Sequence, residues 1–221
     1  MVDEPTAMDP TLRVTEIFRS IQGESTRAGF PCAFIRLTGC SLRCVWCDTA
    51  YAFSGGEDVP VSEAVERVVA LGTDLVEVTG GEPLEQEGVY PLMEGLLERG
   101  KTVLLETGGH VPLDRVDPRV VKIVDVKAPG SAMMAANLPA NLENLGPRDE
   151  LKFVLADRRD FDWALDFVAG RDLDARHVVT FSPVWESLPA ADLAGWIRDS
   201  GRPVRLGLQL HKLLWGDVPG R

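Results

Sequence analysis

Seven short apolar, β-branched runs recur along this chain, separated by Gly, Pro or Asp and by stretches with helical spacing. They are Cys32 to Leu37, Leu75 to Thr79, Thr102 to Glu106, Val120 to Val126, Glu150 to Leu155, His177 to Phe181 and Val204 to Leu208. Several are continuous rather than alternating, the pattern of parallel strands covered on both faces. Between them, Ser62 is placed to cap a helix that carries Val65, Val68 and Val69 and stops at Gly72. Leu92, Met93, Leu96 and Leu97 repeat the pattern before Gly100, as do Phe161, Ala164, Leu165 and Val168. Pro189 opens a further helix through Leu193, Ala194 and Ile197, ended by Gly201 and Pro203. The order reads strand, helix, strand, helix throughout.

Repeated βα units give a parallel sheet with right-handed crossovers, and about six units after Cys32 are too few to close an eight-fold barrel. The expected fold is therefore α/β, an open partial (βα)6-type TIM barrel with parallel strands. At 221 residues one domain spanning 1–221 is the simplest organisation. Chemistry on such a fold belongs at the C-terminal ends of the strands.

The formal charge of −11 repels polyphosphates, so direct nucleic-acid binding is not expected. No stretch is apolar enough to cross a bilayer, and Met1 to Pro10 has no Lys or Arg and no apolar core, unlike a signal peptide. With four cysteines, three of them within eight residues, the chain lacks a spread disulfide framework and fits a reducing cytoplasm.

Cys40, Cys44 and Cys47 form a CxxxCxxC triplet just past the first of the seven runs, where the barrel rule puts chemistry. Three thiolates can hold three irons of a cubic cluster and leave the fourth iron open to another ligand. The alternative is a zinc site, which needs a fourth ligand such as Cys32, His110, His177 or His211, none at the spacing of a zinc module. Cys32 lies within an apolar run and reads as a buried, inert thiol.

The triplet, the Thr79-Gly80-Gly81-Glu82-Pro83 segment and the βα order resemble the radical S-adenosylmethionine (SAM) superfamily in a trimmed form. The resemblance implies a [4Fe–4S] cluster whose open iron takes the amino and carboxylate groups of SAM. One electron then cleaves SAM to methionine and a 5′-deoxyadenosyl radical, which removes a substrate hydrogen. It assigns Trp46, Asp48, Gly80, Gly81, Glu82, Glu106, Thr107, Asp125, Lys127 and Ser182 to SAM. Within that set Glu82 would accept from the methionine ammonium, Glu106 would hold ribose hydroxyls and Lys127 a carboxylate.

Phe18 to Glu24, Cys47-Asp48-Thr49 and Gln209 to Lys212 narrow the likeness to the 7-carboxy-7-deazaguanine synthase family, over about Val14 to Lys212. What the resemblance implies is ring contraction of 6-carboxy-5,6,7,8-tetrahydropterin to 7-carboxy-7-deazaguanine with loss of ammonia, on the route to queuosine, with SAM regenerated. It gives the substrate Ile21, Gln22, Gly23, Glu24, Arg36, Thr79, Gln209 and His211, and gives Mg2+ the Thr49 hydroxyl. Residues 1–30 become a substrate-contacting segment and 213–221 a tail. A flavodoxin or ferredoxin would donate the electron, and the protein would be a homodimer. Two rivals are an activase that places a radical on a partner protein and a zinc-binding scaffold.

Overall fold

The computed structural model describes residues 9–221. Nine strands run along the chain: β1 (Thr11–Ile21), β2 (Pro31–Leu37), β3 (Glu57–Pro60), β4 (Leu75–Gly80), β5 (Thr102–Thr107), β6 (Val121–Asp125), β7 (Glu150–Leu155), β8 (Val178–Pro183) and β9 (Arg205–Leu206). They form one sheet in the order β3-β1-β2-β4-β5-β6-β7-β8-β9. The seven strands from β2 onward, β3 excepted, are parallel, and β1 is antiparallel to both β2 and β3. The sheet stays open, because β3 and β9 are its two edges. All seven expected strands are present, although only two residues of the last run are paired.

The structure corrects four expectations. β1 and β3 were not expected: their mixed sequences, TLRVTEIFRSI and EDVP, belong to partly solvated antiparallel edges rather than to a parallel interior. Ser62 lies inside α1 (Val61–Val69), whose N-cap is Pro60, and instead donates its hydroxyl to Asp9 Oδ2 at 2.6 Å. Strand and helix do not alternate throughout. The β5–β6 and β6–β7 connections hold short 3-10 turns or loops, broken up by Pro112, Pro118, Pro129, Pro139 and Pro147, where the helical ladder would lose donors. A short helix, α5 (Leu210–Trp215), follows β9. The remaining helices, α2 (Val89–Glu98), α3 (Arg158–Ala169) and α4 (Ala190–Ser200), fall where expected. The expectation that no signal segment opens the chain concerns residues that lie largely outside those described.

Strand alternation divides the apolar residues into two cores. The larger one packs Val65, Leu92, Leu96, Phe161 and Leu193 of the helices against outward residues such as Ile35, Val78, Leu105, Phe153 and Phe181. The smaller lies on the concave side: Cys32, Phe34, Leu75, Leu104, Val121 and Ile123, with Phe18 packed on it. Moving two residues at a time along the same inner rows toward the C-terminal strand ends reaches Arg36, Glu77, Thr79, Glu106, Asp125 and Lys152. The concave side therefore has an apolar floor and a charged mouth. Cys32 is fully buried on that floor, and burial pushes its thiol far above the ordinary range, as an inert residue requires.

Candidate active site

The loop after β2 carries the three cysteines over the mouth. Gly39 turns with φ of +97°, donates to Ala52 O at 2.8 Å and accepts from Glu82 N at 2.8 Å. Further along, Ser41 N donates to Glu85 Oε1 at 2.9 Å, Val45 N to Ser131 O at 3.2 Å, and the Arg43 guanidinium folds back onto Cys40 O and Leu42 O. The loop is thus fixed independently of the thiols. Cys40, Cys44 and Cys47 are half-buried and unpaired. Burial pushes the Cys40 thiol up to about 11 and that of Cys44 in the same direction, with Lys127 opposing. Such thiols need a multiply charged cation to deprotonate them, which an iron–sulfur cube supplies. Three separate thiols on one anchored loop fit a cluster bound at three corners.

Gly80 and Gly81 serve this loop. A Cβ on Gly81 would stand 2.1 Å from Gly39 O and 2.9 Å from Cys40 Cβ, and one on Gly80 would meet Leu37 O at 2.4 Å. The close approach is to the cysteine loop's backbone. Gly81→Ala is expected to displace Cys40 and cost the purified protein most of its iron, whereas Gly195→Ala, into open space on α4, should leave iron content unchanged. Parallel iron and protein determinations check both.

Glu82 is held within the protein just past the end of β4. It is fully buried and accepts from Leu84 N at 3.1 Å, Gly108 N at 2.8 Å and Thr107 Oγ1 at 2.9 Å. Burial pushes its pKa up, and His110 and these donors oppose that. Its work is to tie the end of β4 to the end of β5. Thr107, also buried, donates its hydroxyl to that contact.

At the centre of the mouth Lys152 on β7 pairs with Glu106 Oε1 at 2.8 Å and with Glu24 from the β1–β2 loop. Burial lowers the Lys152 pKa, yet Glu106 and Glu24 outweigh it and keep the ammonium charged. Glu106 also accepts from Thr79 Oγ1 at 3.5 Å. Asp125 holds Lys127 at 2.8 Å, close enough for that ammonium to act on Cys44. Arg36 commits its Nε to Glu16 at 2.8 Å, shared with the Tyr51 hydroxyl, so its fork is not simply waiting for a carboxylate. Behind Glu24 and Lys152, Ser182 lines a small cavity with Thr180, Arg205 and Gly207.

The β1–β2 loop and the segment after β9 meet over this mouth. Leu210 N donates to Gly23 O at 2.9 Å, and the His211 ring packs so tightly on Gly23 that a Cβ there would overlap Nδ1 at 2.1 Å. Gly23 is therefore a seat for His211. Gln209 Nε2 donates to Glu24 Oε1 at 3.0 Å and Asp48 Oδ2 at 3.2 Å, and Lys212 Nζ reaches Asp48 at 2.7 Å. Burial would raise the Asp48 pKa, but Lys212 and the Thr49 hydroxyl hold it far below the usual carboxylate range. Thr49 donates to Asp48 Oδ1 at 2.8 Å. Trp46 lies against Gly130, and Ile21 ends β1 opposite Pro31. Gln22, almost fully buried, engages both ends of its amide, donating to Glu77 and accepting from Glu24 N.

Glu24, Arg36, Asp48, Thr49, Glu106, Asp125, Lys127, Gln209 and His211 thus gather around one opening with the cysteine loop. Gln22, Gly23, Glu82 and Thr107 support it from within. Lys152 and Glu77 were missed by the sequence reading. The available signal was a charge inside a largely apolar parallel strand, Glu77 in LVEVTG and Lys152 in ELKFVL.

Residues 34–124 match the radical SAM superfamily. A Chlorobaculum tepidum protein named 7-carboxy-7-deazaguanine synthase is 47% identical over 207 residues, covering 92% of this chain and 94% of the relative. A Koribacter versatilis protein of the same name is 44% identical over 219 residues, covering 92% and 97%. The crystal structure of QueE from Escherichia coli superposes with a TM-score of 0.73 at 24% identity over 91% of this chain and 95% of that one, which speaks for the fold. Identity at this level over at least 92% of both sequences places the chain in the 7-carboxy-7-deazaguanine synthase family of the radical SAM superfamily.

Proposed function

We propose that this chain contracts the ring of 6-carboxy-5,6,7,8-tetrahydropterin to 7-carboxy-7-deazaguanine with loss of ammonia, using SAM catalytically. One observation carries the reading beyond family membership: the Gln209–Lys212 segment folds back onto Asp48 and Glu24, directly beside the cysteine loop. A substrate held by that segment lies within reach of chemistry started at the cysteines. Cys40, Cys44 and Cys47 would hold a [4Fe–4S] cluster, which together with SAM would supply hydrogen-atom abstraction by radical chemistry.

The chain's own residues bind, orient and exclude. Glu24 and Glu106, sharing one Lys152, leave the mouth one negative charge in excess, suited to the amino edge of the pterin and to cationic SAM. Arg36 and Lys127 stand on the rim for carboxylates, each already steadied by an acid that sets its direction. Gln209 and His211 cover the substrate from the C-terminal side, and the apolar floor keeps water from below. Thr49 offers a neutral oxygen beside the Asp48 carboxylate, a sparse site for Mg2+ completed by waters and the substrate carboxylate. Flavodoxin or ferredoxin as reductant, a homodimer and a cytoplasmic location complete the proposal. Among the described residues no helix is long and apolar enough to cross a membrane.

Anaerobically reconstituted protein incubated with SAM, a reductant, Mg2+ and the carboxylated tetrahydropterin should yield the deazaguanine acid. Release of 5′-deoxyadenosine without that acid would retain the superfamily chemistry and reject the substrate, and omission of Mg2+ tests the Thr49 role.

A further inference from the structure

Glu77 takes no direct part in the scheme above, yet it lies at the middle of β4, buried on the concave side among other ionisable groups. Glu24 faces it from the β1–β2 loop, Cys32 from β2, Glu106 from β5 and Lys152 from β7. Lys152 is the cation of this group and is already shared by Glu24 and Glu106. A third carboxylate ionised in the same dry space would be uncompensated, so Glu77 keeps its proton. Burial is the largest cause holding it protonated, with Glu106 and Glu24 adding and Lys152 opposing.

A neutral carboxylic acid has one hydroxyl donor and one carbonyl acceptor. The Glu77 Oε2 accepts from Gln22 Nε2, and Glu106 is the neighbouring acid that favours the Glu77 proton. The far end of the Gln22 amide accepts from Glu24 N at 2.7 Å. Gln22 in turn closes the loop that follows it, donating its own N–H to Phe30 O at 2.8 Å and accepting from Gly29 N at 2.8 Å. Hydrogen bonds thus run from Glu77, beside the Glu106–Lys152 pair, through Gln22 to the backbone that presents Glu24.

We propose that Glu77, buried beside Glu106 and hydrogen-bonded to the Gln22 amide, is a positioning residue that holds the 22–30 loop so that Glu24 stays on Lys152 and Gln209 at the mouth. The substrate it positions is the one proposed above, while the hydrogen-bond relay stands without that assignment. A glutamine at this place reproduces the neutral acid, with a carbonyl toward Gln22 and an NH2 toward Glu106. A leucine fills the volume and leaves both partners buried and unsatisfied.

Two experiments test this, the first without cluster or substrate. Infrared difference spectra of apo wild type against Glu77→Gln at neutral pH should show the C=O stretch of one protonated carboxylic acid in wild type alone. Urea unfolding across pH gives the same information. Below the ordinary Glu pKa folded and unfolded chains are both protonated. Above it only the unfolded chain releases the proton, so wild type should lose stability relative to Glu77→Gln as pH rises, until the folded-state group itself ionises.

In the reconstituted enzyme Glu77→Gln should keep the substrate KM within about threefold of wild type, while Glu77→Leu raises it about tenfold or more and still produces 5′-deoxyadenosine. A missing band, a pH-independent stability difference, or Glu77→Gln as impaired as Glu77→Leu overturns the proposal. If Glu77→Leu does not fold, the band together with the KM of Glu77→Gln decides. A lost band with normal turnover rejects the relay and spares the assigned reaction, and a sound band with no product does the reverse.

Discussion

Alanine at Cys40, Cys44 or Cys47 is expected to strip the protein of its iron and reduce turnover to background, while leaving the fold in place. The first half follows from ligand count: a cube held at three corners by one short loop loses its grip when any thiolate goes, and the protein provides no other cysteine at the mouth, since Cys32 is sealed in the floor. The second half follows from how the loop is built. Gly39, Ser41, Arg43 and Val45 fix it through backbone hydrogen bonds to Ala52, Glu85, the loop itself and Ser131, none of which involves a thiol. Apo stability should therefore change by no more than about 0.5 kcal/mol, as for substitutions away from packed groups. Iron analysis should give about four irons per reconstituted wild-type chain, consistent with a four-iron cube. A variant that keeps both iron and turnover would remove the basis of the functional reading.

Lys152→Met is expected to be the most damaging substitution outside the cysteines. It leaves Glu24 and Glu106 facing each other across a buried space without their common cation, and breaking a buried ion pair by removing one partner costs about 3–5 kcal/mol. The penalty should show in urea unfolding of the apo protein, where the cluster plays no part. Because the cost comes from stranded charge rather than lost volume, Lys152→Met combined with Glu106→Gln should regain a large share of it. If the double variant is no more stable than the single one, Lys152 acts mainly by packing and the electrostatic account of the mouth is wrong.

The parallel strands were legible because burial on both faces forces continuous apolar runs, and the cysteine loop because its spacing serves few purposes. What the sequence left open was direction. Glu82 and Gln22 are polar residues at strand ends, and at that level either can face a ligand or the protein. The choice is made by Gly108 and Thr107 for one, and by Glu77 for the other, partners 25 to 55 residues away. Lys152 escaped notice for the opposite reason: Glu150 to Leu155 scores as a strand whether or not its one lysine points inward, and only the register with Asp125 and Thr180 places it under Glu24. Gly23 carries no local signal for its role, because the ring it accommodates arrives from His211.

The seal between the β1–β2 loop and the segment after β9 also dictates when the protein can become active. Gln209 joins Glu24 across 185 positions, Arg205 joins Ser25 across 180, and Lys212 joins Asp48 across 164. Contacts of such long range are the slowest to form. On a translating ribosome the sheet can assemble strand by strand while Glu24 and Asp48 remain without their covering segment. A nascent chain would thus carry its cysteines on an uncapped scaffold until the segment after β9 has emerged and docked onto Glu24 and Asp48.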